Sequence, residues 1–257
     1  MRQLYTLLIF FGIHTIAHAM LQELLCTLQQ KTDWGTPELI WAAQHCHAAE
    51  VLKILDNNGN PQEENACQET ALHWGAYYSQ INIVDHMLLF HANVNKPNLY
   101  GQTPLHWAFS PHTQKPKSHN QVVQRLLEAG AFFDAQDVFG KTPLHYGVIW
   151  PVTQSPFFEE DAYEKITVSS ITLMAKWGAD FNIQDSDGNT PLHIAILAAL
   201  NVNLAKPIIH ALTLMGADPN MANNDEITAK EIAENRWGQL GLECFFIEDI
   251  FEKTPQK

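Results

Sequence analysis

The sequence predicts an all-α solenoid, in which helix-turn-helix units stack in a row and hairpin-like turns, here called fingers, project between them. The first observation is a four-residue motif, TPLH, here called the recurring word, that stands at Thr103, Thr142 and Thr190, with the near copy TALH at Thr70. The second is a set of apolar residues at helical spacing after each word. The third is a glycine-alanine pair that closes three of the units. Helices that recur in this way indicate a repeat architecture.

Each word is expected to begin the first helix of a unit. Thr103 can cap that helix, and Pro104 suits its first turn because proline lacks only an amide hydrogen that would stay unpaired there. Weaker forms of the word stand at Pro37 (PELIWAA) and Thr228 (TAKEIA). From Pro37 onward the successive starts are 33, 33, 39, 48 and 38 residues apart.

A second helix in each unit is predicted from apolar residues that share one helical face. In two neighbouring units these residues are Ile83, Val84, Met87 and Leu88, and then Val122, Val123, Leu126 and Leu127. Gly130, Gly178 and Gly216 are expected to end the helix in the left-handed conformation. His91 takes that place in an earlier unit and should carry strain.

Turn-rich stretches such as DAQDVFGK and NIQDSDGN separate the units, and their Asp and Gly residues suit a tight finger. A pair of helices cannot bury its apolar faces alone, so neighbouring units must stack. The 33-residue period, the T-P-L-H-x-A pattern and the glycine-alanine closures resemble the ankyrin repeat. The resemblance covers about residues 33–252, with predicted repeats at 37–69, 70–102, 103–141, 142–189, 190–227 and 228–252.

The first nineteen residues have the pattern of a secretory signal peptide. Arg2 precedes an apolar run, and Ala17-His18-Ala19 supplies a small-x-small cleavage site. We expect cleavage before Met20 and a secreted or periplasmic product without a membrane segment. A retained membrane anchor and a buried first helix are the alternatives. A spanning helix needs roughly 20 apolar residues, and His14, Thr15 and His18 interrupt this run. Residues 20–32 are predicted to be an N-terminal capping helix, and residues 253–257 a tail.

Insertions of 6, 15 and 5 residues lengthen repeats three, four and five, and they are expected between the two helices of each unit. The longest, at 150–165, reads WPVTQSPFFEEDAYEK and is interpreted as a solvated acidic loop. Loops of that length are uncommon unless they are functional or disordered. An enzyme or metal-binding protein that uses this acidic insertion is therefore the alternative function.

Four histidines, one in each recurring word, raise the question of a catalytic or metal site. They are His73, His106, His145 and His193. In the ankyrin pattern this histidine serves the scaffold by hydrogen bonding to the capping threonine and the adjoining turn. Neighbouring units lie about 10 Å apart, whereas zinc ligands lie ~2 Å from one ion. A structural role is predicted. His45-Cys46-His47 holds favoured zinc donors, but three consecutive helical residues would point in different directions.

No recognised catalytic motif appears in the sequence, whether a G-x-S-x-G elbow, a Walker loop, a G-x-G-x-x-G loop or a C-x-x-C pair. We therefore expect no enzyme activity, no cofactor and no metal. Cys26, Cys46, Cys67 and Cys244 are an even set, yet Cys244 belongs to the last unit and lies too far from the others to bridge them. Cys26 could bridge either Cys46 or Cys67; Cys26–Cys46 is the hypothesis kept, and unpaired buried thiols are the preferred interpretation.

The chain carries 28 acidic residues against 15 Lys and Arg, for a net charge of -13. This charge disfavours nucleic acid and favours either a partner protein with a basic surface or simple solubility. We expect the chain to be a monomer. The ankyrin resemblance implies a protein-binding module that uses its concave face and finger tips. The positions that match are Tyr77, Tyr78, Leu99, Tyr100, Gln102, Val138, Phe139, Lys141, Ile149, Trp150 and Asp187. Aromatic residues among them are typical interface anchors.

A second aromatic row follows the recurring word. Its members are Trp41, Trp74, Trp107, Tyr146 and Ile194. The row could form a ligand groove, but packing against the neighbouring turn is the preferred interpretation.

Overall fold

The computed structural model describes residues 36–110, 116–153, 160–199 and 202–238. The predicted signal peptide, the capping helix, the tail, Cys26 and Cys244 lie outside these residues. All the helices below belong to the unit Pro37–Lys257.

Paired helices follow the predicted repeat starts. In chain order they are α1 (Glu38–Gln44), α2 (Ala48–Asp56), α3 (Ala71–Tyr77), α4 (Ile81–Leu89), α5 (Pro104–Ala108), α6 (Pro116–Glu128), α7 (Pro143–Thr153), α8 (Glu160–Trp177), α9 (Pro191–Ala198), α10 (Val202–Leu214) and α11 (Ala229–Gly238). Each of the first five predicted repeats contains one pair, and the sixth contains α11.

The helices pack in two layers. Each odd-numbered helix contacts the next odd-numbered helix, from α1 to α11, and the even-numbered helices do the same from α2 to α10. Apolar side chains fill the space between the layers, and Leu72, Leu105 and Leu126 are completely buried. Each fully buried leucine contributes about 2 kcal/mol to folding. The all-α solenoid predicted from the sequence is confirmed.

Threonine begins the first helices, as the recurring word predicts. Thr70, Thr103 and Thr190 have extended backbones and form a capping box with the histidine three residues later. The histidine replaces the Glu or Gln that usually completes this box. One residue type therefore ends the turn and begins the helix in unit after unit.

The second helices end in left-handed residues. Gly130 and Gly178 have φ of 87° and Gly216 has φ of 105°, so the predicted role of these glycines is confirmed. His91 occupies the same place with φ of 60°, a conformation that costs a non-glycine residue free energy. The expected strain site is thus present.

The insertion in the fourth repeat is partly helical, which corrects the predicted acidic loop. Residues 150–153 continue α7 and residues 160–165 lie in α8. A continued helix pairs its own backbone N–H and C=O groups, whereas a long loop leaves them to solvent. In the fifth repeat only residues 199–201 separate α9 from α10, and α10 has 13 residues where α4 has 9, so most of the extra residues there are helical as well.

The last described helix, α11, supports the first helix of the preceding unit, α9. The Arg236 guanidinium donates from Nη1 to the carbonyl oxygen of Leu197 at 2.6 Å and from Nη2 to that of Ala199 at 2.7 Å. These carbonyls lie at the C-terminal end of α9, where backbone acceptors lack helical partners. Arg236 therefore caps α9 from the neighbouring unit. None of the described helices combines the length and the apolar character that a bilayer crossing requires.

Candidate partner-binding surface

In five fingers the same pattern of side-chain hydrogen bonds holds the turn. In the finger at 98–102, Asn98 Oδ1 accepts the N–H groups of Tyr100 and Gln102, both at 2.9 Å. The residues that open the other described fingers, Asn65, Asp137, Asp185 and Asn223, hold the backbone two and four residues ahead in the same way. Because one side-chain oxygen accepts two backbone N–H groups of the turn, it restrains the conformation of the finger.

Backbone hydrogen bonds join the fingers to one another. The second residue of each finger donates its N–H to the carbonyl of the third residue of the finger before it. The pairs, with the donor first, are Leu99 and Cys67 (2.9 Å), Val138 and Tyr100 (3.0 Å), Ser186 and Phe139 (2.9 Å), and Asn224 and Asp187 (3.1 Å). The five tips are therefore held in one row.

The tip positions predicted from the sequence differ in exposure. Leu99 is 56% exposed and Val138 is 59% exposed. Tyr100 and Phe139 are half-buried, and Asp187 is exposed. The row therefore presents apolar side chains that a partner can reach.

Gln102, by contrast, is only 6% exposed. Its Oε1 accepts from Trp107 Nε1 at 3.0 Å, and its Nε2 donates to the Tyr146 hydroxyl at 2.9 Å. These bonds tie the second finger to α5 and to α7. Gln102 has little surface left for a partner, so we omit it from the candidate surface.

Lys141 is also buried, at 8% exposure. Burial lowers the pKa of its ammonium group, and the nearby charges of Asp185, Asp137 and Asp187 oppose that shift. A sequence match places Lys141 beside the finger tip, but packing turns it inward. We omit Lys141 for the same reason as Gln102.

Asp137 and Tyr146 form a link that the sequence did not predict. The Tyr146 hydroxyl donates to Asp137 Oδ2 at 2.5 Å while Asp137 Oδ1 closes its own finger. Burial and the Asp137 charge raise the pKa of Tyr146. The recurring Asn or Asp at the start of each finger was a visible signal for Asp137, whereas Tyr146 carried no such signal.

Aromatic rings cluster beside the first fingers. The rings of Trp74 and Tyr78 stack with their centroids 5.9 Å apart, and Tyr77 lies edge-on to Tyr78 at 5.0 Å and to Trp107 at 5.5 Å. Tyr77 and Tyr78 are half-buried. Part of each ring packs into the core and part is exposed, so only part of each ring is available to a partner.

The remaining aromatic positions are divided between core and surface. Trp74 and Trp107 are buried, as the packing interpretation predicts, whereas Trp41 is 38% exposed. Ile149 in α7 is half-buried. The side chain of Trp150 lies outside the described residues.

The recurring histidines connect each helix start to the next finger. Thr103 N–H donates to His106 Nδ1 at 3.0 Å, and His106 Nε2 lies 3.0 Å from the Lys141 carbonyl oxygen. Because Nδ1 accepts, the proton must lie on Nε2, which donates to the carbonyl. His73, His145 and His193 make the same contacts in their own units.

Burial keeps these imidazoles neutral. It lowers the pKa of His73 and of His106 to about 4 and that of His145 to about 3, and it also lowers the pKa of His193. Each ring faces backbone groups of its own unit and the next finger, so the four do not converge on one centre. The predicted scaffold role is confirmed by these bonds.

His45, Cys46 and His47 lie in the turn between α1 and α2, and Cys46 has φ of 58°. The helical geometry assumed for them was therefore wrong. The His45 ring stacks on Trp41 with centroids 4.2 Å apart. Within the described ranges, no group of three or more His, Cys, Asp or Glu side chains gathers in a metal-binding arrangement. Cys46 and Cys67 are half-buried, and the Cys26–Cys46 bridge stays a prediction.

These features define a helical repeat protein whose finger tips form one continuous row. Ankyrin repeat models match residues 39–137, as three copies, and residues 187–224, as one repeat. Together the matches span more than half of the sequence. The chain belongs to the ankyrin repeat proteins, a family of protein-protein interaction modules.

Three relatives each match half of this chain or less. Human inversin is 32% identical over 106 residues, which is 40% of this chain and 10% of inversin. The human transient receptor potential cation channel subfamily A member 1 is 30% identical over 131 residues, or 50% of this chain and 11% of the channel. A palmitoyltransferase of Candida albicans is 36% identical over 69 residues, or 27% of this chain and 8% of that protein. The chain spans about a tenth of the length of these relatives.

A solved ankyrin repeat domain from Acinetobacter baumannii has the same fold. It superposes with a TM-score of 0.64 at 19% identity, over 85% of this chain and 98% of that domain. The likeness establishes the architecture alone.

Proposed function

We propose that this chain is an exported interaction module that binds one protein partner along its finger row and the adjoining concave face. The contact residues are the exposed or half-exposed members of the predicted set. They are Tyr77, Tyr78, Leu99, Tyr100, Val138, Phe139, Ile149 and Asp187. Trp150 stays in the proposal on its sequence position alone.

The observation that carries this proposal is the fixed row of finger tips. Leu99 and Val138 are both more than half exposed, yet their backbones are bonded to the preceding fingers. Apolar side chains that are already held in place lose little conformational freedom on binding. Exposed apolar groups in a contiguous strip typically mark a binding site.

The partner is expected to carry a basic surface, because the net charge of the chain is -13. Opposite charge speeds the encounter of two proteins and selects against acidic partners. The same charge repels a second copy of the chain, so we expect a monomer. Sedimentation velocity at low salt would contradict this expectation if it found a stable dimer.

Two double variants test the binding surface. Leu99→Asp with Val138→Asp places charge on the finger tips. Leu89→Asp with Phe132→Asp is the matched control, since those side chains are 68% and 66% exposed and lie outside the fingers. A partner is first isolated by affinity capture, and its affinity for each variant is then measured by calorimetry.

We expect the finger variant to bind about 100-fold more weakly, since charging an interface centre removes its anchors. The control should bind as the parent does, and both should melt within a few degrees of it. Equal binding by both variants, or an equal loss in both, would refute the proposed surface.

Export rests on the sequence of residues 1–19 alone. N-terminal sequencing of protein recovered from the culture medium or the periplasm should begin at Met20. Recovery of the intact N-terminus in the cytosol would refute the export proposal and leave the binding surface untouched.

A further inference from the structure

The finger row changes its chemistry between the third and the fourth finger. The second and third fingers present Leu99, Tyr100, Val138 and Phe139, which we call the apolar end. The fourth and fifth fingers present Asp187, Asp225 and Glu226, all exposed, which we call the acidic end.

No exposed cation neutralises the acidic end from within the described fingers. Across 65–69, 98–102, 137–141, 185–189 and 223–227, Lys141 is the one Lys or Arg, and it is buried. Because Lys141 points inward, its ammonium group is not offered to a partner. The tip surface is therefore uncharged at one end and negative at the other.

The two ends are held at a fixed separation. Ser186 N–H donates to the Phe139 carbonyl oxygen at 2.9 Å, which bonds the last apolar finger to the first acidic finger. Neighbouring units lie about 10 Å apart, and an extended chain advances about 3.3 Å per residue. One finger thus corresponds to about three residues of an extended partner, and the centres of the two ends lie about six residues apart.

We propose that the finger row binds an extended protein segment with apolar side chains at one end and Lys or Arg about six residues away. The apolar side chains would lie on the apolar end, and the basic side chains would pair with the acidic end. This inference rests on the proposed binding function and adds the chemistry and the direction of the partner. The fixed polarity of the row would orient the segment in one sense.

A displayed library of random 16-residue peptides, selected against the full chain, supplies the probe. Affinities of the selected peptides are then measured by fluorescence anisotropy. Asp187→Asn with Asp225→Asn removes two charges from the acidic end. Asp56→Asn with Glu234→Gln removes two charges from exposed positions outside the fingers and is the matched control. Scrambled peptides of the same composition control for charge alone.

We expect selected peptides to carry basic residues about six positions from an apolar pair. The acidic-end variant should weaken their binding about 10-fold while the control stays within about 2-fold, and added salt should weaken binding to the parent. Scrambling should cost as much as the variant does.

Peptides without Lys or Arg, an equal response of the two double variants, or no enrichment at all would overturn the inference. Peptide binding that is lost only when Leu99 and Val138 are charged would overturn the inference while the proposed binding surface stands. If the finger variants leave both peptide and partner affinity unchanged, both proposals fail.

Discussion

Asp134 occupies a joint between repeats where the neighbouring repeats use an amide. Asn95 donates from Nδ2 to the Gly130 carbonyl oxygen at 2.9 Å and accepts the Phe132 N–H at 2.7 Å. Asn182 does the same one joint further on, with Gly216 at 3.0 Å and Asp218 at 2.7 Å. Both side chains lock one unit to the next through two bonds.

Asp134 makes only the accepting half of this contact. Its two carboxylate oxygens share the Asp180 N–H at 3.2 and 3.3 Å, and a carboxylate has no hydrogen to donate to the Gly178 carbonyl oxygen. Burial and the charge of Asp180 raise the pKa of Asp134. The joint between the third and fourth repeats is therefore the weaker one.

Asp134→Asn should restore the missing donor. A net hydrogen bond contributes about 1 kcal/mol, and relief of the exposed charge repulsion adds a few tenths. We expect a stabilisation of about 1 kcal/mol, which corresponds to a rise in Tm of roughly 2–4 °C for a chain of this size. The reverse change, Asn182→Asp, should destabilise by a similar amount.

Urea unfolding followed by circular dichroism measures both variants. At neutral pH the Asp134→Asn midpoint should rise and the Asn182→Asp midpoint should fall. As the pH decreases, Asp134 becomes protonated and can donate, so the advantage of Asp134→Asn should shrink. No rise for Asp134→Asn, together with a clear loss for Asn182→Asp, would refute the reasoning from the missing donor.

Three further predictions concern the repeat histidines and the helix ends. His106→Ala leaves the Thr103 N–H and the Lys141 carbonyl buried without partners, so a thermal melt should show a loss of roughly 1–3 kcal/mol; an unchanged melt would contradict this. The folded-state pKa values of the repeat histidines lie below their ordinary value, so the stability they support is present above about pH 6.5 and is lost as the pH falls. Each of the three histidines with a pKa of about 3 to 4 should lower the free energy of unfolding by about 2 kcal/mol at about pH 5. Urea midpoints that do not change with pH would refute this. His91→Gly should raise the free energy of unfolding by about 0.5–1 kcal/mol, and with it the urea midpoint, because glycine adopts the left-handed conformation without strain. A lower midpoint would show that the exposed imidazole stabilises the fold.

The local features of the repeat were readable without the structure. Thr103 and Pro104 predict a helix start, and Gly130 predicts a helix end, because these effects depend on a residue and its immediate neighbours. The insertion at 150–165 was harder, since Pro151 and Pro156 favour a loop, yet α7 continues through Pro151 to Thr153. Its partly helical form was missed for that reason.

The candidate surface was only partly predictable. A match to the repeat pattern identifies which positions flank a finger, but not which way each side chain turns. Gln102 and Lys141 stand at such positions and are buried, because Tyr146, Trp107 and Asp137 from nearby elements surround them. Leu99 and Val138 stand one position into the turn and remain exposed.

The sequence by itself determined the repeated helix pair, its caps and the stacking that its apolar faces require, because each of these follows from spacing along the chain. The tertiary structure alone decided which polar side chains cross between units. Tyr146 meets Asp137, and Asp134 faces Asp180, only after the units stack. Such contacts join residues from different units, and their geometry depends on how the helices pack rather than on any local pattern.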